Sequence, residues 1–212
     1  MFEITSRIEH RYNNCSVCDL SKLNSNKYKG QTIRNVPIIK SGTGKILLVT
    51  DTPSKYIYKT FYNAETTTFL NIILSKFNLY DDISVASILA CNPSNPGQPM
   101  NYELKQCEHN IKFTIKLLQP KVIILLGMTA TKFYMGQVKF TDIINNLIVK
   151  NDIIYIPTFS PAFIDDNGRF INSSLYHTVM LTFALAKSLL TDDITFKNNF
   201  EQNDAEFTST LF

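Results

Sequence analysis

No part of this 212-residue sequence stays apolar for the roughly 18 residues a membrane-spanning helix needs. The longest candidate, Val122–Leu126, has only the length of a strand. The opening residues, Met1–Arg11, interleave charges with Phe2, Ile4 and Ile8 and lack the apolar core of a signal peptide. Charge is scarce too: charged residues make up 18% against 44% hydrophobic, which excludes a mostly disordered chain. The formal charge of +3 is far from the excess of a polybasic protein. A chain of this length buries roughly 70% of its unfolded surface, so its core needs no covalent staples. These absences predict a soluble, cytoplasmic protein without a membrane partner. They also predict a single domain over residues 1–190 and a polar tail over residues 191–212.

Cysteine is equally sparse, and its spacing is the first positive signal. Cys15 and Cys18 form a C-x-x-C, and Cys91 and Cys107 follow far downstream. A disulfide framework belongs in a shorter secreted chain. A thioredoxin-type pair needs a strand-to-helix turn, whereas Asn13 and Asn14 lead into this one. Two readings remain, a shared Cys₄ metal site or four unrelated buried thiols. Spacing alone does not separate zinc from an iron–sulfur cluster.

Periodicity supplies the architecture. Lys45–Thr50 is a continuous apolar run ending at Asp51-Thr52-Pro53, the mark of a buried parallel strand. The Gly42-Thr-Gly44-Lys45 stretch before it resembles a phosphate loop, but such a loop follows a strand and opens a helix. Further strands are predicted at 83–89, 121–126 and 153–156, and helices at 65–77, 102–118, 129–135 and 173–190. Residues 19–44 read as an irregular approach, and the prolines of Asn92–Pro99 require a loop. This alternation predicts an α/β fold of three αβα layers around a mainly parallel four-stranded sheet. In such folds the site lies outside the carboxyl ends of the strands, here Asp51–Ser54, Ser87–Cys91, Gly127 and Thr158–Phe163. His10, His109 and His177 fall outside those loops and read as surface residues. Lys55, Lys59, Lys132 and Lys139 are candidates for a face that contacts phosphates.

The ordered series resembles the family-four uracil-DNA glycosylases. It runs from Cys15-Ser-Val-Cys18-Asp-Leu20 through Cys91 with Pro93 to Pro99-Met-Asn-Tyr-Glu103-Leu-Lys-Gln-Cys107. It continues with Pro120-Lys-Val-Ile-Ile-Leu-Leu-Gly127-Met-Thr-Ala130, and the likeness covers about residues 12–187. The resemblance implies a 4Fe–4S cluster on Cys15, Cys18, Cys91 and Cys107, and DNA as partner. It also implies a pocket that takes a flipped base. Asp51 falls where the family carries a catalytic acid, and Phe61 where an aromatic ring stacks under uracil. Ser87 stands in place of the asparagine that reads uracil's edge. Ser160, in Ser160-Pro161-Ala162, stands in place of the histidine that stabilises the departing uracil anion. Losing both implies weak or absent excision and an accessory role in replication, repair or transcription. The alternative is a working glycosylase that hydrolyses the N-glycosidic bond of uracil or another damaged base. The loop Ser160–Phe170 corresponds to the family's minor-groove wedge, with Phe163 and Ile164 as apolar wedges and Arg169 for a phosphate. Phe207, Leu211 and Phe212 resemble the ending of peptides that dock on sliding clamps, so a clamp or polymerase component is the expected partner. Richness in Asn and Ile fits an AT-rich genome, and divergent copies of this fold resemble those of phages.

Overall fold

Five strands form one sheet in the computed structural model, which describes residues 7–8, 10–11, 14–23, 26–28, 31–33, 43–52, 64–91, 93–94, 99–166 and 174–191. A helical turn α1 (Leu20–Leu23) precedes an antiparallel hairpin of β1 (Asn26–Tyr28) and β2 (Gln31–Ile33). The main unit runs β3 (Ile46–Thr50), α2 (Ala64–Lys76), β4 (Ile83–Ser87), α3 (Asn101–Leu118), β5 (Val122–Leu126) and α4 (Met128–Met135). A 3₁₀ turn at Phe140–Asp142, β6 (Ile148–Lys150), β7 (Ile153–Thr158), α5 (Pro161–Asp166) and α6 (Ser174–Thr191) complete it. The sheet order is β4-β3-β5-β7-β6, parallel throughout except for β6, which pairs antiparallel with β7.

The apolar runs become strands because both faces of the sheet are covered. Side chains alternate across a strand. Accordingly Ile46, Leu48, Val85, Ile124 and Ile156 pack in one core with Ile73 of α2 and Phe183 of α6. Leu47, Val49, Ile123 and Leu125 pack in a second core with Leu104 and Ile111 of α3 and Ala130 of α4. The expected three-layer α/β fold is therefore present. Truncating a fully buried side chain such as Leu48 to alanine costs about 2–5 kcal/mol.

The stripe that α3 turns inward holds more than hydrophobes. Glu103, Leu104, Cys107, Asn110, Ile111, Thr114 and Leu118 are its buried residues, spaced by the three- and four-residue steps of a helix face. The helix stops where Gln119 turns left-handed (φ 48°), its N–H bonding the Ile115 carbonyl at 2.8 Å, just before Pro120.

Three local features differ from expectation. The sheet has a fifth strand, β6, whose three residues are largely exposed (Val149 is 68% exposed) and so show no burial pattern in sequence. Residues 26–28 and 31–33, expected to be irregular, pair as β1 and β2, and residues 161–166, expected as loop, form α5. α6 ends at Thr191, and the expected tail beyond it, residues 192–212, lies outside the described residues. Phe61, Arg169, Phe207, Leu211, Phe212, Lys55 and Lys59 lie outside the described residues.

Candidate functional site

The chain leaves β3 toward β4 on one side and leaves β5 toward β7 on the other, so the sheet reverses its winding between β3 and β5. A crevice opens at the carboxyl ends of strands at such a point. Ser87 ends β4, Asp51 follows β3, Gly127 follows β5, and Ser160 lies two residues beyond β7. With adjacent strands about 4.8 Å apart, these four strand ends span roughly 14 Å of one edge. Gly127 adopts φ 91°, and a Cβ there would come within 3.3 Å of Ser160 Cβ. Only glycine combines that backbone with so close an approach.

Asp51 is half-buried. Burial pushes its carboxyl above the usual carboxylate range, while hydrogen bonds from the Thr52 N–H (2.8 Å) and Thr50 Oγ1 (3.2 Å) to Oδ1 oppose the rise. Ser87 is fully buried, and its hydroxyl donates to the Leu89 carbonyl at 2.7 Å. Ser160 is half-buried, and its carbonyl accepts the N–H groups of Phe163 and Ile164 as α5 begins. Phe163 is 49% exposed, and its ring stacks on Phe159 (centroids 5.9 Å apart), which meets Phe140 edge-on.

No disulfide joins the four cysteines, of which Cys91 and Cys107 are buried and Cys15 and Cys18 half-buried. Cys107 Sγ accepts the Ala90 N–H at 3.2 Å, which joins α3 to the residue before Cys91. Asn110 Nδ2 lies 3.6 Å from both Cys15 Sγ and Cys107 Sγ, so the two sulfurs are at most twice that distance apart. Burial pushes the Cys107 thiol up, the bonds from Ala90 and Asn110 pull it down, and the charges of Cys15 and Cys18 add to the rise. Among the described residues, no three His, Cys, Asp or Glu side chains are grouped as a site for a single metal ion.

The sequence profile of the uracil DNA glycosylase superfamily matches residues 36–178, well over half of the chain. This chain belongs to the uracil-DNA glycosylase superfamily. It is similar to the type-4 uracil-DNA glycosylase of Thermotoga maritima, 24% identical over 89% of this chain and 95% of that protein. The type-4 uracil-DNA glycosylase of Sulfurisphaera tokodaii is 25% identical over 39% of this chain and 41% of its own.

For this glycosylase-superfamily member, the structure brings Asp51, Ser87 and Ser160 to one sheet edge and gathers Cys15 and Cys107 around Asn110. Phe163 stands exposed on α5, three residues past Ser160, whereas Ile164, expected as a second wedge, is turned into the core and is 1% exposed, so it cannot enter a groove. Lys132 is exposed, whereas Lys139 pairs with Asp142 at 3.1 Å. His109, read from sequence as a surface residue, is half-buried, with Nε2 4.0 Å from Cys15 Sγ. Asn110 and Arg11 drew no attention in the sequence. The signal available was helical spacing, since Asn110 follows Cys107 by three residues and shares its face. No helix among the described residues is long and apolar enough to cross a membrane.

Proposed function

We propose that this protein binds DNA, holds a 4Fe–4S cluster on Cys15, Cys18, Cys91 and Cys107, and excises uracil slowly or not at all. It acts as an accessory factor in replication, repair or transcription. The observation that carries this reading is the state of Ser87. Uracil excision breaks an N-glycosidic bond through an oxocarbenium-like state, and donors must meet the charge that develops on the departing base. The hydroxyl hydrogen of Ser87 is committed to the Leu89 carbonyl, so the side chain presents no donor to a flipped base. Ser160 offers one short hydroxyl where a histidine would extend an imidazole. Removing a single donor of this kind costs roughly 10²–10³ in rate. Asp51, once deprotonated, can orient a water molecule, but burial keeps its proton to a higher pH than an ordinary aspartate.

The cluster assignment rests on the donor set: four cysteines in no disulfide, two of them within reach of one buried amide. Thiolates packed this closely with little water repel one another, and a cationic iron core removes that repulsion. When bound, the cluster supplies four iron–thiolate bonds that tie the N-terminal segment, the exit of β4 and α3 together. Phe163 wedges the duplex from the minor groove, with Arg169 on a phosphate. The C-terminal Phe207, Leu211 and Phe212 dock on a sliding clamp or polymerase component, a reading supported by their sequence pattern.

The test is restoration. Ser87→Asn with Ser160→His should raise uracil excision at least about tenfold above wild type, since both donors return. A double variant that melts like wild type and excises no faster overturns the pocket assignment. If Asn is too large at the buried position, Ser160→His alone carries the test. A second reading, an active glycosylase acting on uracil or another damaged base, is favoured by the place of Asp51 just past β3, on the sheet edge it shares with Ser87 and Ser160. Release of hypoxanthine or a mismatched base by wild type would establish it.

A further inference from the structure

Asn110 is fully buried on the inward stripe of α3, where an aliphatic residue would pack as well. A buried amide is costly unless its polar atoms are partnered. Its partners explain its presence. Oδ1 accepts a hydrogen bond from Arg11 Nε at 3.2 Å. Arginine has no acceptor, so this contact fixes which way the amide faces and turns both hydrogens of Nδ2 away from Arg11. They meet two sulfurs, Cys15 Sγ and Cys107 Sγ, each at 3.6 Å, within the longer reach of a sulfur acceptor. The Arg11 guanidinium is itself held 4.5 Å above the centre of the Phe113 ring, one helical turn beyond Asn110.

We propose that Arg11 and Asn110 form a relay that donates to the two cluster-ligating sulfurs and sets the reduction potential of the cluster. This rests on the cluster reading above. Hydrogen bonds to ligand sulfurs favour the more negative, reduced state and raise the potential. The guanidinium strengthens them by polarising the amide, because a charge-assisted bond on Oδ1 makes Nδ2 a better donor. Asn110 and Arg11 are positioning residues: they act on the cluster through Cys15 and Cys107.

The experiment is anaerobic redox titration of iron-loaded full-length protein, followed by visible absorption and paramagnetic resonance. Asn110→Leu should lower the ratio of reduced to oxidised cluster about tenfold at a fixed poise, equivalent to about 59 mV for one electron. Arg11→Gln should shift the ratio in the same direction by a smaller factor, and Arg11→Lys, which keeps the charge, should recover part of it. Iron-loaded Asn110→Leu and Arg11→Gln with the wild-type potential overturn the relay and leave the cluster standing. If Asn110→Leu takes up no iron or fails to fold, Arg11→Gln decides alone, an unchanged potential being refutation. Wild-type protein that takes up no iron on reconstitution overturns the cluster reading, and the relay with it.

Discussion

Glu103 is nearly devoid of solvent contact, yet three donors converge on its carboxylate. The Ser94 N–H (3.0 Å) and Ser94 Oγ (2.6 Å) reach one oxygen, and the Met100 N–H (2.8 Å) reaches the other. Glu103 thereby holds Ser94 and Met100 to the first turn of α3, where the helix dipole also favours a negative charge. Glu103→Gln tests this arrangement with almost no change in shape. Whichever way the new amide turns, its NH₂ group faces an N–H, so at least one charge-assisted bond is lost and two donors confront each other. Such a loss costs about 2–3 kcal/mol, and at 2–4 °C per kcal/mol for a protein of this size Tm should fall by roughly 4–12 °C. Burial pushes the Glu103 carboxyl up, but the bonds from Ser94 and Met100 outweigh it and leave its pKa lowered. Its stabilisation is therefore complete above the unfolded glutamate value of about 4.3 and is lost as pH falls through the lower folded value. Thermal or urea melts of both proteins from about pH 7 to about pH 3 should show the gap shrinking at the acid end. A gap below about 0.5 kcal/mol at neutral pH, or one that does not change on acidification, would refute the reasoning.

On the proposed cluster reading, Cys107→Ala should abolish the broad absorption near about 400 nm and lower Tm as well, because a cluster on the four cysteines would tie distant segments together; iron content and a melt check both. If any base is excised, Asp51→Asn should reduce kcat more than it weakens DNA binding. It should also remove an acid limb that lies above the ordinary carboxylate range, as read from a pH–rate profile. Arg169→Ala should reduce the salt slope of DNA binding by about one unit, whereas Phe163→Ala should weaken binding with the slope unchanged, as measured by fluorescence anisotropy. Deleting residues 207–212 should abolish binding to the sliding clamp of the same genome and leave iron content and Tm unchanged.

The parts legible in the sequence were those where burial and chain chemistry agree. Ile46–Thr50 and Val122–Leu126 are buried at every position, so a parallel strand covered on both faces appears as an unbroken apolar run. The end of α3 was marked by Pro120, and the cysteines by their spacing. What stayed hidden has equally physical causes. Strand β6 is held by its turn, where Asn151 and Asp152 both take positive φ and Lys150 pairs with Ile153, and not by any hydrophobic pattern. An Asn-Asp pair before Ile153 was the available hairpin signal. Asn110 was hidden because its partner Arg11 lies 99 residues away in sequence, and only the tertiary fold joins them. Ser87 was legible as a departure from the family pattern, but the capture of its hydroxyl by Leu89 depends on the bend beyond β4.

Single-turnover uracil release by the wild-type protein, run beside binding of the same oligonucleotides, tests the central claim most directly. The iron-loaded protein should bind DNA while releasing uracil at least about 10²-fold more slowly than the Thermotoga maritima type-4 enzyme under the same conditions. Release at a comparable rate would contradict the account, because a pocket with Ser87 and Ser160 in place of the two donors would then suffice for the chemistry.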